Sequence, residues 1–158
     1  MLSQVDITAT MKSIPWFLDL SNESLQRLTG IAAVRFFDSG EIIFSEGEKN
    51  PFLYVILEGK VRLESYVPGR GSLPYLTAES LDVIGWSSLT PVVRQKTGTA
   101  VAVEPTRLLS FRADALIELC ERDCDLGYVI MRRLANIIAS RLLNHRLHLL
   151  ELLSCQKQ

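Results

Sequence analysis

The spacing of hydrophobic positions changes twice along this chain. Residues 4–13, and then Ser21 to Thr29, carry apolar side chains at helical intervals, with a turn at Pro15 between them. Ser21 is suited to cap the second helix, Glu23 suits its first turn, and Gly30 reads as its stop. From about residue 33 the pattern shortens and becomes rich in β-branched and aromatic residues. Val34–Phe37, Glu41–Phe44, Phe52–Leu57, Lys60–Val67, Leu73–Thr77, Thr99–Val103 and Arg107–Phe111 all read as strands. Turn residues separate them at Asp38-Ser39-Gly40, Glu46-Gly47, Glu58-Gly59, Pro68-Gly69-Arg70-Gly71 and Glu104-Pro105. Lys60–Val67 alternates, with Val61, Leu63 and Val67 on one face and Arg62, Glu64 and Tyr66 on the other. The series predicts an antiparallel sandwich or jelly roll.

Helical spacing then returns. Asp114 to Cys120 predicts a short helix. Asp125 to Leu153 has no proline and a single glycine, Gly127, near its start, which predicts one helix of roughly 42 Å. That is longer than one small barrel needs. Met131, Ala135, Ile138, Leu142, His145, Leu149 and Leu152 follow at alternating intervals of four and three, the spacing of a two-helix coiled coil. Ile130, Leu134 and Ile137 form a second row able to dock on the sheet. A helix apolar on two sides needs two partners, so a parallel homodimer through this helix is expected. The competing reading packs it only on its own domain.

The 158 residues fit one domain in three parts: an N-terminal helical segment (1–32), a β core (33–111) and C-terminal helices (112–158). Net charge of −1 offers no general attraction for nucleic acid. Cys120, Cys124 and Cys155, odd in number and in helical or tail sequence, suggest reduced thiols in a cytoplasmic protein. Met1–Asp6 has no basic region followed by an apolar run and no apolar stretch reaches membrane-spanning length, so neither a signal peptide nor membrane association is expected.

The chemistry concentrates in Val83–Ala100. This segment reads as a short apolar strand, a turn at Gly85, one polar helical turn, a loop with cations, and another strand. Free N–H groups, hydroxyls and nearby positive charge are what an anion needs. Gly85, Trp86, Ser87, Ser88, Arg94, Lys96, Thr97 and Thr99 are therefore the candidate ligand-binding residues. The hydroxyls also have the simpler role of satisfying local backbone.

The order of elements, with Phe37-x-x-Gly40-Glu41-x-Ile43-Phe44-x-Glu46-Gly47, Leu53–Val61, Ile84-Gly85, Thr99-Ala100-x-Ala102-x-Glu104 and Leu108-Leu109-x-Phe111, resembles the cyclic-nucleotide-binding domain family. Within bacteria it is most similar to the sensor half of the catabolite-activator and oxygen-response regulators. The resemblance implies a mainly β fold with flanking α elements. That fold is a double-stranded β-helix (jelly roll) with small N-terminal helices and a long C-terminal dimerisation helix. It further implies a phosphate cassette at Gly85.

Here the sequence departs from the family pattern. In members that bind cyclic AMP or GMP, a Phe-Gly-Glu run supplies a Glu for the ribose 2′-hydroxyl, and a later Arg forks onto the phosphate. This chain has Trp86 after Gly85, and Lys96 falls at the arginine position with Arg94 two residues earlier in a slightly longer loop. Lysine lacks the planar fork, and losing one charge-assisted bond costs about 1.5–3 kcal/mol. Losing the ribose contact as well would move a micromolar site towards millimolar affinity. Arg94 is either a compensating inward cation or a solvated one. Trp86 is either a plug or an aromatic face for a different ligand.

Weaker candidates remain. His145 and His148, with Cys155 beyond, lack a second set of ligands at metal spacing, so no metal is assigned. Cys120 and Cys124 lie one helical turn apart, and inert thiols are the simpler reading of them. No nucleophile–base pair, paired-carboxylate motif or phosphate-binding Walker loop is present, and no enzymatic activity is expected. Arg132, Arg133, Arg141 and Arg146 read as the solvated face of the long helix. The resemblance places DNA binding in a winged helix after that helix, and only Ser154–Gln158 follow it here, so no direct DNA binding is expected. Two functions emerge. One is a stand-alone dimeric regulatory sensor that binds a cyclic nucleotide or another small anion and signals to a protein partner. The other is a degenerate, ligand-free module for dimerisation or scaffolding.

Overall fold

Ser21 caps its helix: its Oγ accepts from the Ser24 N–H at 3.1 Å. In the structure, a computed structural model that describes residues 4–155 except Pro91 and Arg94, this helix is the second of four. α1 spans Gln4–Lys12, a 3-10 turn covers Pro15–Phe17, and α2 spans Asn22–Ile31. Gly30 is not the stop expected of it. The helix continues through Ile31, and Ala32 turns the chain into extended conformation. Strand pairing at Ala32, rather than a left-handed glycine, ends α2.

Eight strands follow: β1 Ala32–Phe37, β2 Ile42–Phe44, β3 Phe52–Glu58, β4 Val61–Val67, β5 Gly71–Ala78, β6 Val83–Ile84, β7 Thr99–Ala102 and β8 Thr106–Arg112. They form two antiparallel four-stranded sheets, ordered β1-β8-β3-β6 and β2-β7-β4-β5. These strands, the flanking helices and the long terminal helix are the predicted architecture. α3 spans Ala113–Arg122 and α4 spans Cys124–Cys155.

Two cores explain why the strand sequences differ. Between the sheets, Tyr54, Ile56, Val61, Leu63, Ile84, Ala100 and Leu108 pack together. On the outer face of β3 and β8, Leu53, Val55, Leu109 and Phe111 meet the helices through Met11, Phe17, Leu28, Leu116, Leu126 and Ile130. β3 is thus buried on both faces, and its sequence is continuously apolar. β4 has one covered face and alternates up to a register shift between Leu63 and Glu64.

The long helix behaves differently along its length. Leu126, Val129, Ile130 and Leu134 are buried in the helical core, with Ile137 packed against it, so the docking row lands as expected. Beyond it, Leu142, Leu143, Leu147, Leu149, Leu150, Leu152 and Leu153 are all exposed. Gly127 permits the close start of α4: a Cβ there would lie 2.6 Å from the Cys120 carbonyl oxygen.

Candidate ligand cavity

The turn after β6 is built by backbone conformation. Gly85 has φ of +75°, and a Cβ at this position would meet the Phe52 carbonyl at 2.8 Å and Lys96 Nζ at 2.9 Å. Glycine satisfies both demands at once. The 3-10 turn Trp86–Leu89 follows directly.

A cavity of about 320 Å³ opens beside this turn, between the second sheet and α4. Phe44, Leu63, Ser65 and Tyr75 come from β2, β4 and β5. Gly85, Trp86 and Ser87 come from the turn, and Lys96, Thr97 and Gly98 from the loop before β7. Helix α4 closes the outer side with Ile138, Arg141, Leu142 and His145. Gly98 brings Tyr75 inward, since a Cβ there would lie 2.5 Å from the tyrosine hydroxyl.

Lys96 is only 2% exposed, and its ammonium does not point freely into this space. Nζ donates to the Phe52 carbonyl at 2.8 Å and to the Gly85 carbonyl at 3.0 Å, and it lies 4.9 Å from the Phe44 ring centroid. Burial lowers its pKa to about 8, against a smaller upward pull from Glu48. The lysine therefore clasps the start of β3 to the cassette turn. Its side chain braces the site's geometry, and two of its three donors are already engaged.

The sequence-derived candidates divide. Gly85, Trp86, Ser87, Lys96 and Thr97 line the cavity. Ser88 and Thr99 do not. The Ser88 hydroxyl donates to the Gly85 carbonyl at 2.9 Å, and Thr99 Oγ1 accepts from the Glu46 N–H at 3.0 Å. The Ser88 bond is local, whereas Thr99 ties β7 to the turn after β2, 53 residues away in the chain. Arg94 lies outside the described residues. Trp86 is half-buried, touching the helical core while lining the cavity, so its indole walls the space without filling it.

Of α4's four cations, Arg132 and Arg146 lie on the solvated face expected of them, whereas Arg133 and Arg141 are half-buried. Arg132 and Arg133 both pair with Asp19. Arg141 is half-buried in the cavity wall, and burial lowers its pKa, partly opposed by Asp82 and Tyr75. Among the described residues it makes no hydrogen bond and no ion pair. Sequence reasoning missed Arg141, Tyr75, Phe44 and Leu63 as site residues. Only Arg141 left a trace: it directly precedes the seam residue Leu142.

The seam residues take two roles. Ile138, Leu142 and His145 line the cavity, with the His145 ring 5.2 Å from that of Tyr75. Met131, Ala135, Leu142, Leu149 and Leu152 are exposed. His148 Nδ1 lies 3.7 Å from Glu151 Oε2, and no cluster able to hold a metal occurs among the described residues. Cys120 is half-buried, and burial pushes its thiol up to about 11, while Cys124 is exposed. No helix among the described residues is long and apolar enough to cross a membrane.

Comparison with known proteins decides the family. The sequence profile of the cyclic nucleotide-binding domain matches residues 34–123, more than half of the chain. The chain belongs to this family. A Geobacter metallireducens protein assigned as a cyclic nucleotide-binding protein is 27% identical, with a TM-score of 0.73 over 90% of this chain and 99% of that one. The catabolite activator protein of Thermus thermophilus is 28% identical, with a TM-score of 0.72 over 89% of this chain and 63% of that one. The sensor domain of the transcriptional regulator DNR from Pseudomonas aeruginosa shares the fold at 20% identity, with a TM-score of 0.74 over 88% and 93%. The chain is thus a cyclic-nucleotide-binding-like regulatory domain, with its cavity at the cassette turn.

Proposed function

We propose that this domain is a dimeric regulatory sensor, in which the cavity takes a small anion and α4 carries its occupancy to a second copy and on to a protein partner. One observation carries the reading: Ile138, Leu142 and His145 belong both to the cavity wall and to the four-three seam of α4. A ligand that moves the wall moves the dimer helix. Coupling of this kind needs only that the ligand bind one helix packing better than another. The exposed leucines along the outer half of α4 are what a parallel second copy would bury. The kinship with the Thermus activator supports a regulatory rather than a catalytic role.

A second reading has its own support. The cassette cation Lys96 is held by backbone carbonyls, and Trp86 stands where the family's ribose acceptor would be, as expected of a ligand-free scaffold. Light scattering across a dilution series, with and without a panel of cyclic nucleotides and small organic acids, separates the two. The sensor reading expects a dimer whose melting temperature rises with at least one anion. A dimer indifferent to every anion at millimolar concentration supports the scaffold. A monomer at high micromolar concentration overturns the dimeric mechanism in both.

A further inference from the structure

We infer that the cavity takes a small aromatic monocarboxylate, held by the guanidinium of Arg141 on α4 rather than by the cassette loop. This inference rests on the reading of the cavity as a small-anion site and names the anion's class.

Three observations lead there. The first is charge. Of the two described cations in the wall, Lys96 is fastened to the Phe52 and Gly85 carbonyls, whereas Arg141 has no hydrogen bond or ion pair among the described residues. The carboxylate whose field Arg141 feels, Asp82, lies beyond ion-pair distance and accepts from the Glu79 N–H at 2.9 Å. A half-buried guanidinium without a partner carries a desolvation cost that an incoming anion relieves. Its planar fork matches a carboxylate through two parallel bonds. One such cation balances one negative charge, not two.

The second observation is the shape and lining of the space. Phe44, Tyr75 and Trp86 supply three aromatic walls, and Leu63, Ile138 and Leu142 add aliphatic surface. A flat apolar body fits such a surround. The volume of about 320 Å³ is at the small end of ligand pockets, which run from about 300 to 1,000 Å³.

The third is what the described wall lacks. No Asp or Glu lines it, so a sugar hydroxyl has no carboxylate acceptor. Ser65, Ser87 and Thr97 offer hydroxyls, enough to complete the bonding of a carboxylate. A nucleotide would bring several polar groups into a mostly apolar space, where each unpaired one is costly.

The test uses the full chain, with binding followed by ligand-observed NMR and thermal shift. The probes are benzoate, indole-3-carboxylate and 2-naphthoate, each beside its neutral carboxamide, together with cyclic AMP. The proteins are wild type, Arg141→Gln and Arg141→Lys. We expect at least one carboxylate to bind, with its carboxamide at least about tenfold weaker. Arg141→Gln should weaken the carboxylate by a similar factor, and Arg141→Lys should restore part of the loss. Near-native melting temperatures for the unliganded variants show that folding is not the cause. A carboxamide that binds as well as its acid overturns the inference, as does an Arg141→Gln protein of unchanged affinity. If cyclic AMP alone binds, the aromatic-acid assignment falls while the small-anion sensor stands. If no anion binds even at millimolar concentration, both fall.

Discussion

The cavity has two cationic walls, and they are built on opposite terms. On the cassette side, Lys96 is buried and tied to two carbonyls, so its hydrogen-bond donors serve the fold. On the helix side, Arg141 is half-buried and untied among the described residues, so its charge is left for something else. A cation in a binding pocket is not evidence of a binding cation until its own hydrogen bonds are counted. Two of the Lys96 donors are engaged by backbone carbonyls, whereas Arg141 has no hydrogen-bond partner among the described residues.

The sharpest way to break the cassette wall is Gly85→Ala. The left-handed φ and the 2.8 Å approach to the Phe52 carbonyl together should cost about 3 kcal/mol, lowering the melting temperature by roughly 6–12 °C in calorimetry. Lys96→Met comes next. It leaves the Phe52 and Gly85 carbonyls without their donor, at a cost of about 2 kcal/mol near neutral pH in urea unfolding.

The lysine also makes a pH prediction. Its folded pKa of about 8 lies below the ordinary 10.5, so between those values the unfolded chain holds a proton that the folded chain has released. Stability attributable to Lys96 should therefore rise from about pH 8 to pH 10.5 and be constant below that window. Wild type should gain on Lys96→Met across this range. A difference that is flat or shrinks with pH would show that the ammonium is not desolvated.

Gly98→Ala probes the contact between the walls. The added Cβ meets the Tyr75 hydroxyl at 2.5 Å and the Glu64 carbonyl at 3.0 Å, so Tyr75 must shift, at a cost of about 1–2 kcal/mol. Near-ultraviolet circular dichroism should register the altered tyrosine environment. The smallest effect belongs to Arg141→Leu, which removes a cation unpartnered among the described residues and should change stability by no more than about 0.5 kcal/mol. A loss as large as that of Lys96→Met would mean that the two cations are equally structural, and the contrast between the walls would fail.

Much of this was legible beforehand because it is local. The helix cap at Ser21 and the docking row Ile130, Leu134 and Ile137 follow from spacing and side-chain type. So do the turn at Gly85 and the 3-10 turn that follows it. Each depends on residues a few positions apart. The places of Ser88 and Thr99 away from the cavity were not legible, because hydroxyl content says nothing of which way a side chain faces once the turn is made. Gly30 was misread because the stop came from strand pairing at Ala32, which depends on β8 nearly eighty residues away.

The sequence by itself determined the order of elements, the two-faced long helix and the family pattern around the cassette, since periodicity and turn chemistry act along the chain. The tertiary structure alone decided which cation is available. Lys96 and Arg141 are both bare positive charges in the sequence, and only packing brings the Phe52 and Gly85 carbonyls to one of them. Packing also sets α4 across the cavity mouth, which places Ile138, Leu142 and His145 of the four-three row in its wall. These relations join residues that are far apart in the chain, and no local pattern encodes the distance between them.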